Sequence, residues 1–177
     1  MNGRENVVIF ENLKLPDWLE IKKNKYGYGL FSLAKFQIGD IVYKYQEHQF
    51  FTDSDKITIR MYDGYKNFDT LTHINLTNDK MAFQFFDTFR NHSCDPNVFV
   101  YDNIDNIENY TEAKAVKNID IGDEITSDYG LCAYEVQYYS IQDCKCESAI
   151  CRKNIEGFKD MSINCQLKLL PYVEIIN

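Results

Sequence analysis

Three of the chain's six cysteines crowd together near the C-terminus as Cys144-x-Cys146-x4-Cys151. Thiolates at this spacing can reach one metal ion from a single turn, and a structural zinc site wants four soft ligands in a tetrahedral shell. Three ligands leave the shell open, so a fourth has to come from Cys94, Cys132, Cys165 or a histidine. In a chain without an export signal, clustered cysteines bind metal more often than they form disulfides. Metal binding would also supply folding energy to a segment poor in apolar residues.

A second concentration of chemistry lies mid-chain, in Asn91-His92-Ser93-Cys94-Asp95-Pro96-Asn97. Phe83, Phe85, Phe86 and Phe89 run into it, and Val98, Phe99 and Val100 leave it. Asn, Ser, Asp and Pro are turn formers, so a surface turn between two buried elements is the plain reading and a site is the other. Tyr26-Gly27-Tyr28-Gly29 is open in the same way: a hairpin turn, or a backbone that a ligand can approach closely. Tyr129, in Ser127-Asp128-Tyr129-Gly130, is one of 13 tyrosines and on its own reads as core.

The elements that must position these groups come from a chain of 177 residues, the length of one domain with a substantial core. A hydrophobic content of 45%, with 15% aromatic residues, rules out a disordered tail. No apolar run reaches the roughly 18 residues that span a bilayer. The N-terminus lacks the basic-then-apolar order of a secretory signal. A soluble, intracellular protein is expected. The formal charge of -8 argues against nucleic-acid binding through a basic face. It would suit a basic partner such as a Lys/Arg-rich peptide, although the same charge also serves solubility.

Residues 1–20 read as edge strands or a covering segment. Residues 19–22, 41–45, 98–101 and 111–116 alternate or are β-rich, and Gly39-Asp40 and Gly122-Asp123 mark turns. Asp53, Ser54 and Asp55 could cap a short helix through residues 56–61. The Asn/Asp/Thr-rich stretch up to Lys80 reads as loop, and residues 166–170 as one or two amphipathic helical turns. The sum is a mostly β fold with short helices.

In this order the pieces resemble the SET-domain family of protein-lysine methyltransferases. The resemblance rests on Gly27-Tyr28-Gly29-Leu30-Phe31, on Gly39-Asp40, on residues 91–97, and on Gly122-Asp123-Glu124-Ile125-Thr126-Ser127-Asp128-Tyr129-Gly130. Cys144-x-Cys146-x4-Cys151-Arg152 is similar to the post-SET zinc element. Gly157-Phe158-Lys159 and Leu170-Pro171-Tyr172-Val173 look like the tail of small stand-alone members. The implied fold is β-clip-like, with a pseudoknot and a C-terminal zinc-binding post-SET segment. It divides the chain into a covering segment (1–20), the SET domain (21–141), and the post-SET segment with its tail (142–177).

The resemblance implies transfer of a methyl group from S-adenosylmethionine to the side-chain amine of a protein lysine, in a basic, histone-like tail. It implies no direct nucleic-acid partner and no membrane, and leaves the oligomeric state open. Location would be the nucleus or chromatin for a eukaryotic, histone-directed protein and the cytoplasm otherwise. The rival reading is a zinc-stapled peptide-binding module of SET type without turnover; a third is a small zinc-binding structural protein.

Residue by residue, the resemblance lays Lys25, Gly27, Tyr28 and Gly29 along the cofactor. It sets Asn91 on the cofactor's amino group and the His92 backbone at its adenine edge. Tyr129 matches the active-site tyrosine, and Tyr45 a second channel tyrosine, with Tyr43 as its alternative. Val100 and Ser127 stand where aromatic bulk limits the number of methyl groups, which implies room for di- or trimethylation. Cys94 becomes the fourth zinc ligand beside Cys144, Cys146 and Cys151. Cys132, Cys165, His48 and His73 are left without a task. Thr88 replaces an Arg that is common three residues before the Asn, with Arg90 near but out of register.

Overall fold

The computed structural model of the chain describes residues 15–25, 27–46, 57–60, 73–77, 80–83, 89–103, 110–131 and 143–173. In chain order the strands are Leu19–Asn24 (β1), Gly27–Ser32 (β2), Ile41–Gln46 (β3), Ile57–Arg60 (β4), His73–Thr77 (β5), Lys80–Phe83 (β6), Asn91–His92 (β7), Val98–Asn103 (β8), Tyr110–Ala115 (β9) and Thr126–Ser127 (β10). Among the described residues there are also 3-10 turns at Tyr129–Leu131 and Phe158–Asp160 and one α-helix, Ile163–Val173 (α1). The fold is mostly β with short helical pieces, as the sequence predicts.

The strands form small sheets rather than one large one. β1 and β2 make an antiparallel hairpin from Leu19↔Ser32 to Asn24↔Gly27. Gly27 closes it at a φ of 132°, a conformation that residues with a Cβ rarely adopt. A three-stranded antiparallel sheet has the order β3-β9-β8, and a second has the order β4-β6-β5.

The core lies over β9. Thr111, Ala113 and Ala115 alternate inward along this strand, and the two alanines leave room for larger neighbours. Val42 and Tyr43 of β3 and Val98 of β8 close over them, joined by Leu19, Leu30, Phe89, Ile119 and Ile125. Two turns of like build flank this core. Asp40 Oδ2 accepts the Gln37 N–H at 2.7 Å, and Asp123 Oδ2 accepts the Asp120 N–H at 2.8 Å. Their glycines, Gly39 and Gly122, have φ of 95° and 91°. Phe36 and Ile119 tie the turns together through a reciprocal pair of backbone hydrogen bonds, each 2.9 Å.

β7 and β10 pair in parallel, Asn91↔Thr126 and His92↔Ser127. This short crossing sets the polar stretch 91–97 against the segment that leads to Tyr129. Asn97 locks it: its Nδ2 donates to the Glu124 carbonyl at 2.9 Å, and its Oδ1 accepts the Thr126 N–H at 2.9 Å.

Three local expectations change. Residues 57–60 are strand, not helix, because Ile57-Thr58-Ile59 is β-branched with period-2 spacing and pairs with β6 from Ile57↔Phe83 to Arg60↔Lys80. The proposed caps Asp53, Ser54 and Asp55 lie outside the described residues. The loop expected up to Lys80 contains β5, whose His73-Ile74-Asn75-Leu76-Thr77 alternation finds its partner in β6. The C-terminal helix runs 11 residues rather than one or two turns. Ser162 starts it, since its Oγ accepts the Cys165 N–H at 3.4 Å and its carbonyl the Gln166 N–H at 3.0 Å. Most of the covering segment, residues 1–14, lies outside the described residues.

Candidate active site and cysteine centre

Tyr129 opens a 3-10 turn directly after β10. Its hydroxyl donates to the Arg90 carbonyl at 2.8 Å, and its backbone N–H donates to His92 Nδ1 at 3.1 Å. The His92 and Tyr129 rings lie 5.3 Å apart. With its proton committed to Arg90, the phenol oxygen can offer lone pairs to an approaching N–H or polarised C–H group.

On the other side of β7, Asn91 joins the hairpin to the crossing. Its Nδ2 donates to the Tyr28 carbonyl at 3.0 Å and to Glu124 Oε1 at 2.6 Å. Asn24 Nδ2 donates to the same carboxylate oxygen at 2.9 Å. With both amide protons aimed at acceptors, Asn91 presents its carbonyl oxygen, an acceptor suited to an ammonium donor. A Cβ at Gly29 would overlap the Glu124 carboxylate, whose end would have to shift to admit it. Tyr28, Gly29 and Asn91 are thus brought together. Tyr28 packs edge-on to Phe89, with ring centroids 6.5 Å apart. Lys25 pairs with Glu147 at the surface, which ties the hairpin tip to the cysteine segment.

Arg90 fills the ground between these groups. Its Nε donates to Ser127 Oγ at 2.8 Å, and its NH1 to the buried Tyr43 hydroxyl. Ser127 is 2% exposed, so the space its small side chain leaves is taken up by a guanidinium rather than being open. Val100 packs against the main core. Tyr45 pairs with Thr111 through the β3–β9 backbone; its side chain lies outside the described residues.

The cysteine centre forms where the C-terminal segment meets β7. The ligand atoms of His92, Cys94, Cys144 and Cys146 all lie within 4.8 Å of one another. Cys151 packs against this cluster without being one of the four, and its thiol meets the Cys144 carbonyl at 3.7 Å. Backbone N–H groups point at the sulfurs, Arg152 to Cys94 and Lys153 to Cys151 at 3.4 Å each, and Cys94 to Cys146 at 3.5 Å. Burial raises the Cys94 thiol well above its ordinary value, against the Arg152 N–H, and raises Cys144 as well. Burial would raise Cys146 too, but the Cys94 and Ser148 backbone N–H groups and the neighbouring thiols bring it to about 7. Gathered thiols with amide protons aimed at them fit a thiophilic dication, which would hold them all as thiolates.

His92 is close enough to compete for that ion, with Nε2 3.2 Å from Cys94 Sγ. Burial, strengthened by Arg152 and opposed by Asp128, lowers it to about 4, so the ring is neutral near pH 7. A neutral imidazole carries one proton, and Nδ1 is already an acceptor for Tyr129. Nε2 is therefore the ring nitrogen turned toward the thiols, and Nδ1 also faces Asp128 Oδ1 at 3.7 Å. The gathered group is thus three thiols and the His92 ring, with Cys151 packed against it rather than within it. Cys165 sits on α1 as a half-buried free thiol, and Cys132 and His48 lie outside the described residues.

The SET-domain family model matches residues 27–130, which span β2, both Gly-Asp turns, the crossing and Tyr129. The chain belongs to the SET-domain family. Among solved structures, this SET-domain chain is similar to one from Plasmodium falciparum provisionally described as a histone methyltransferase, at 20% identity over 63% of this chain and 92% of that one, with a TM-score of 0.37. It is also similar to KRYPTONITE in complex with mCHH DNA, an H3(1-15) peptide and S-adenosylhomocysteine (SAH), at 23% identity over 77% of this chain and 29% of that one, TM-score 0.47. A second KRYPTONITE complex, with mCHG DNA and SAH, gives 22% identity over 77% and 28%, TM-score 0.47. Among curated proteins none matches.

Four further residues of the SET-domain site appear in the sequence patterns without a role. Glu124 orients Asn91, Arg90 occupies the space beside Ser127, and Asp128 and Arg152 form a buried pair. Arg152 is the nearest to legible, since it follows Cys151 directly.

Proposed function

We propose that the chain is a protein-lysine N-methyltransferase that uses S-adenosylmethionine. The cofactor supplies an electrophilic methyl group on a sulfonium. The chain's own contribution is alignment and environment, since an in-line displacement gains most from correct positioning. Tyr28, Gly29, Asn91 and the His92 backbone would hold the cofactor, with the Asn91 carbonyl oxygen toward its ammonium, Gly27 shaping the turn and Lys25 at its end. Tyr129 would orient the target amine through the lone pairs its hydroxyl keeps. The amine has to be neutral to attack, against an ordinary pKa of about 10.4, and a desolvated channel favours that form. Tyr45, Val100 and Ser127 would line the channel. Zinc would be held by Cys94, Cys144, Cys146 and Cys151 in a post-SET element closing over Tyr129, and the 21–141 and 142–177 division follows from that reading.

A basic, histone-like tail suits the acidic charge of -8. The observation that carries the proposal is the Tyr129 hydroxyl on the Arg90 carbonyl, beside the crossing that also brings in Asn91. Tyr129→Phe tests it: transfer of label from S-adenosylmethionine to histones or a cell extract should fall by at least a hundredfold, while calorimetry still finds cofactor binding. Equal labelling by the variant, or no cofactor binding by the wild-type chain, overturns the proposal. A peptide-binding module without turnover would show no labelling in either.

A further inference from the structure

A closed ring of hydrogen bonds runs from the cysteine centre through the Tyr129 turn and back. His92 Nε2 faces Cys94 Sγ at 3.2 Å, and its Nδ1 receives the Tyr129 N–H at 3.1 Å. Asp128, the residue before, caps the same turn, with Oδ1 accepting the Gly130 N–H at 3.0 Å. The Asp128 side chain has 0% exposure and takes both arms of the Arg152 guanidinium, NH1 on Oδ2 at 2.7 Å and NH2 on Oδ1 at 2.6 Å. Arg152 follows Cys151, and its backbone N–H returns to Cys94 Sγ at 3.4 Å.

We propose that His92, Asp128 and Arg152 are positioning residues that couple the cysteine centre to the Tyr129 turn, so that metal retention and the setting of Tyr129 rise and fall together. Asp128 and Arg152 are committed to each other rather than to a metal, and His92 spends Nδ1 on the Tyr129 N–H. Each fixes a group that holds either a sulfur or Tyr129. Residues behind a metal shell commonly change affinity or activity by about 10–100-fold when altered. Coupling of this kind is reciprocal, so what orders the Tyr129 turn also retains the ion. A carboxylate-guanidinium pair with two parallel bonds suits the role, because it fixes angle as well as distance.

The zinc-loaded full chain tests this. Zinc release into a chromophoric chelator is timed for the wild type, Asp128→Asn, Arg152→Lys and the double variant. Lysine keeps the charge of Arg152 but loses the two-pronged geometry. Each single variant should release zinc about tenfold faster, and the double no faster than the quicker single, because both cut one link. In methyl transfer, kcat should fall with KM little changed.

Release at the wild-type rate in folded variants, or single effects that multiply in the double, overturns the coupling. If a variant does not fold, amide exchange of the wild-type chain decides instead. Removal of zinc should expose the Tyr129 and Gly130 amides while Ala113 in β9 stays protected; unchanged protection at Tyr129 and Gly130 overturns the proposal. The activity arm rests on the reading of Tyr129 given above, whereas the release and exchange arms do not. Faster release without any lysine methylation would leave the coupling standing and remove the function. Methylation lost in Tyr129→Phe with release unchanged in Asp128→Asn would do the reverse.

Discussion

The β-sheet body and the cysteine segment 143–161 are held by different forces. In the body, strands pair through their backbones and a contiguous apolar cluster lies over β9. In the cysteine segment no strand is assigned among the described residues, and the buried cluster is Cys94, Cys144 and Ile155, with Tyr129, Cys146 and Cys151 against it. The segment meets the Tyr129 turn through the Asp128–Arg152 pair and the packing of Tyr129 on the cysteine cluster.

On the proposed zinc site, the largest effect should come from taking away the metal. Structural zinc contributes about 10–16 kcal/mol to the folding of small zinc-dependent peptides, and the cysteine segment has little else to order it. Cys94→Ser, or a strong chelator on the wild type, should make 143–161 cleavable by protease while the fragment carrying β1 to β9 survives. Collapse of both regions together would show that the division between them is false.

A smaller effect is expected where the two regions touch. A Cβ on Gly130 would overlap Met161 Cε and the Glu156 carbonyl oxygen, and the second of these is backbone that cannot swing away. Gly130→Ala should therefore lift the segment off the Tyr129 turn, at about 1–3 kcal/mol for an overpacked site. Thermal unfolding and methyl transfer should both fall. Gly29→Ala is the control inside the body, since its new methyl group meets the end of the Glu124 side chain, which can move. If Gly29→Ala proves the more destabilising, the body is the more tightly fitted region and the comparison is reversed.

The sequence made the body more legible than the segment, for a physical reason. Period-2 alternation and glycine turns are local signals, and they located β1, β3, β8 and β9 to within a few residues. They failed for β4 and β5, where Asp and Asn suggested caps and loop, and pairing with β6 decided the outcome. The cysteine spacing announced a thiol cluster, yet His92 joins it while its Nδ1 accepts the N–H of Tyr129, 37 positions along the chain. The Asp128–Arg152 pair spans 24 positions. Nothing in local composition marks either residue as one of a pair. Arg90 is the sharpest case: a small Ser127 suggests an open channel, and only the fold shows a guanidinium lying against it.

That last contact gives the smallest expected change. Ser127→Ala removes one hydroxyl from a buried site and leaves Arg90 Nε without that acceptor, while the Tyr43 hydroxyl still receives NH1. One hydrogen bond of this kind is worth about 0.5–1.5 kcal/mol net, so unfolding should shift by only a few degrees, with zinc retention unchanged. The informative readout is the number of methyl groups added. With the guanidinium fixed on Ser127, the proposed lysine channel would be narrower than serine alone suggests. Releasing it should raise the share of di- and trimethylated product in mass spectra of a labelled peptide. An unchanged product distribution in Ser127→Ala would mean that Arg90 does not bound the channel, and that its bond to Ser127 serves the body alone.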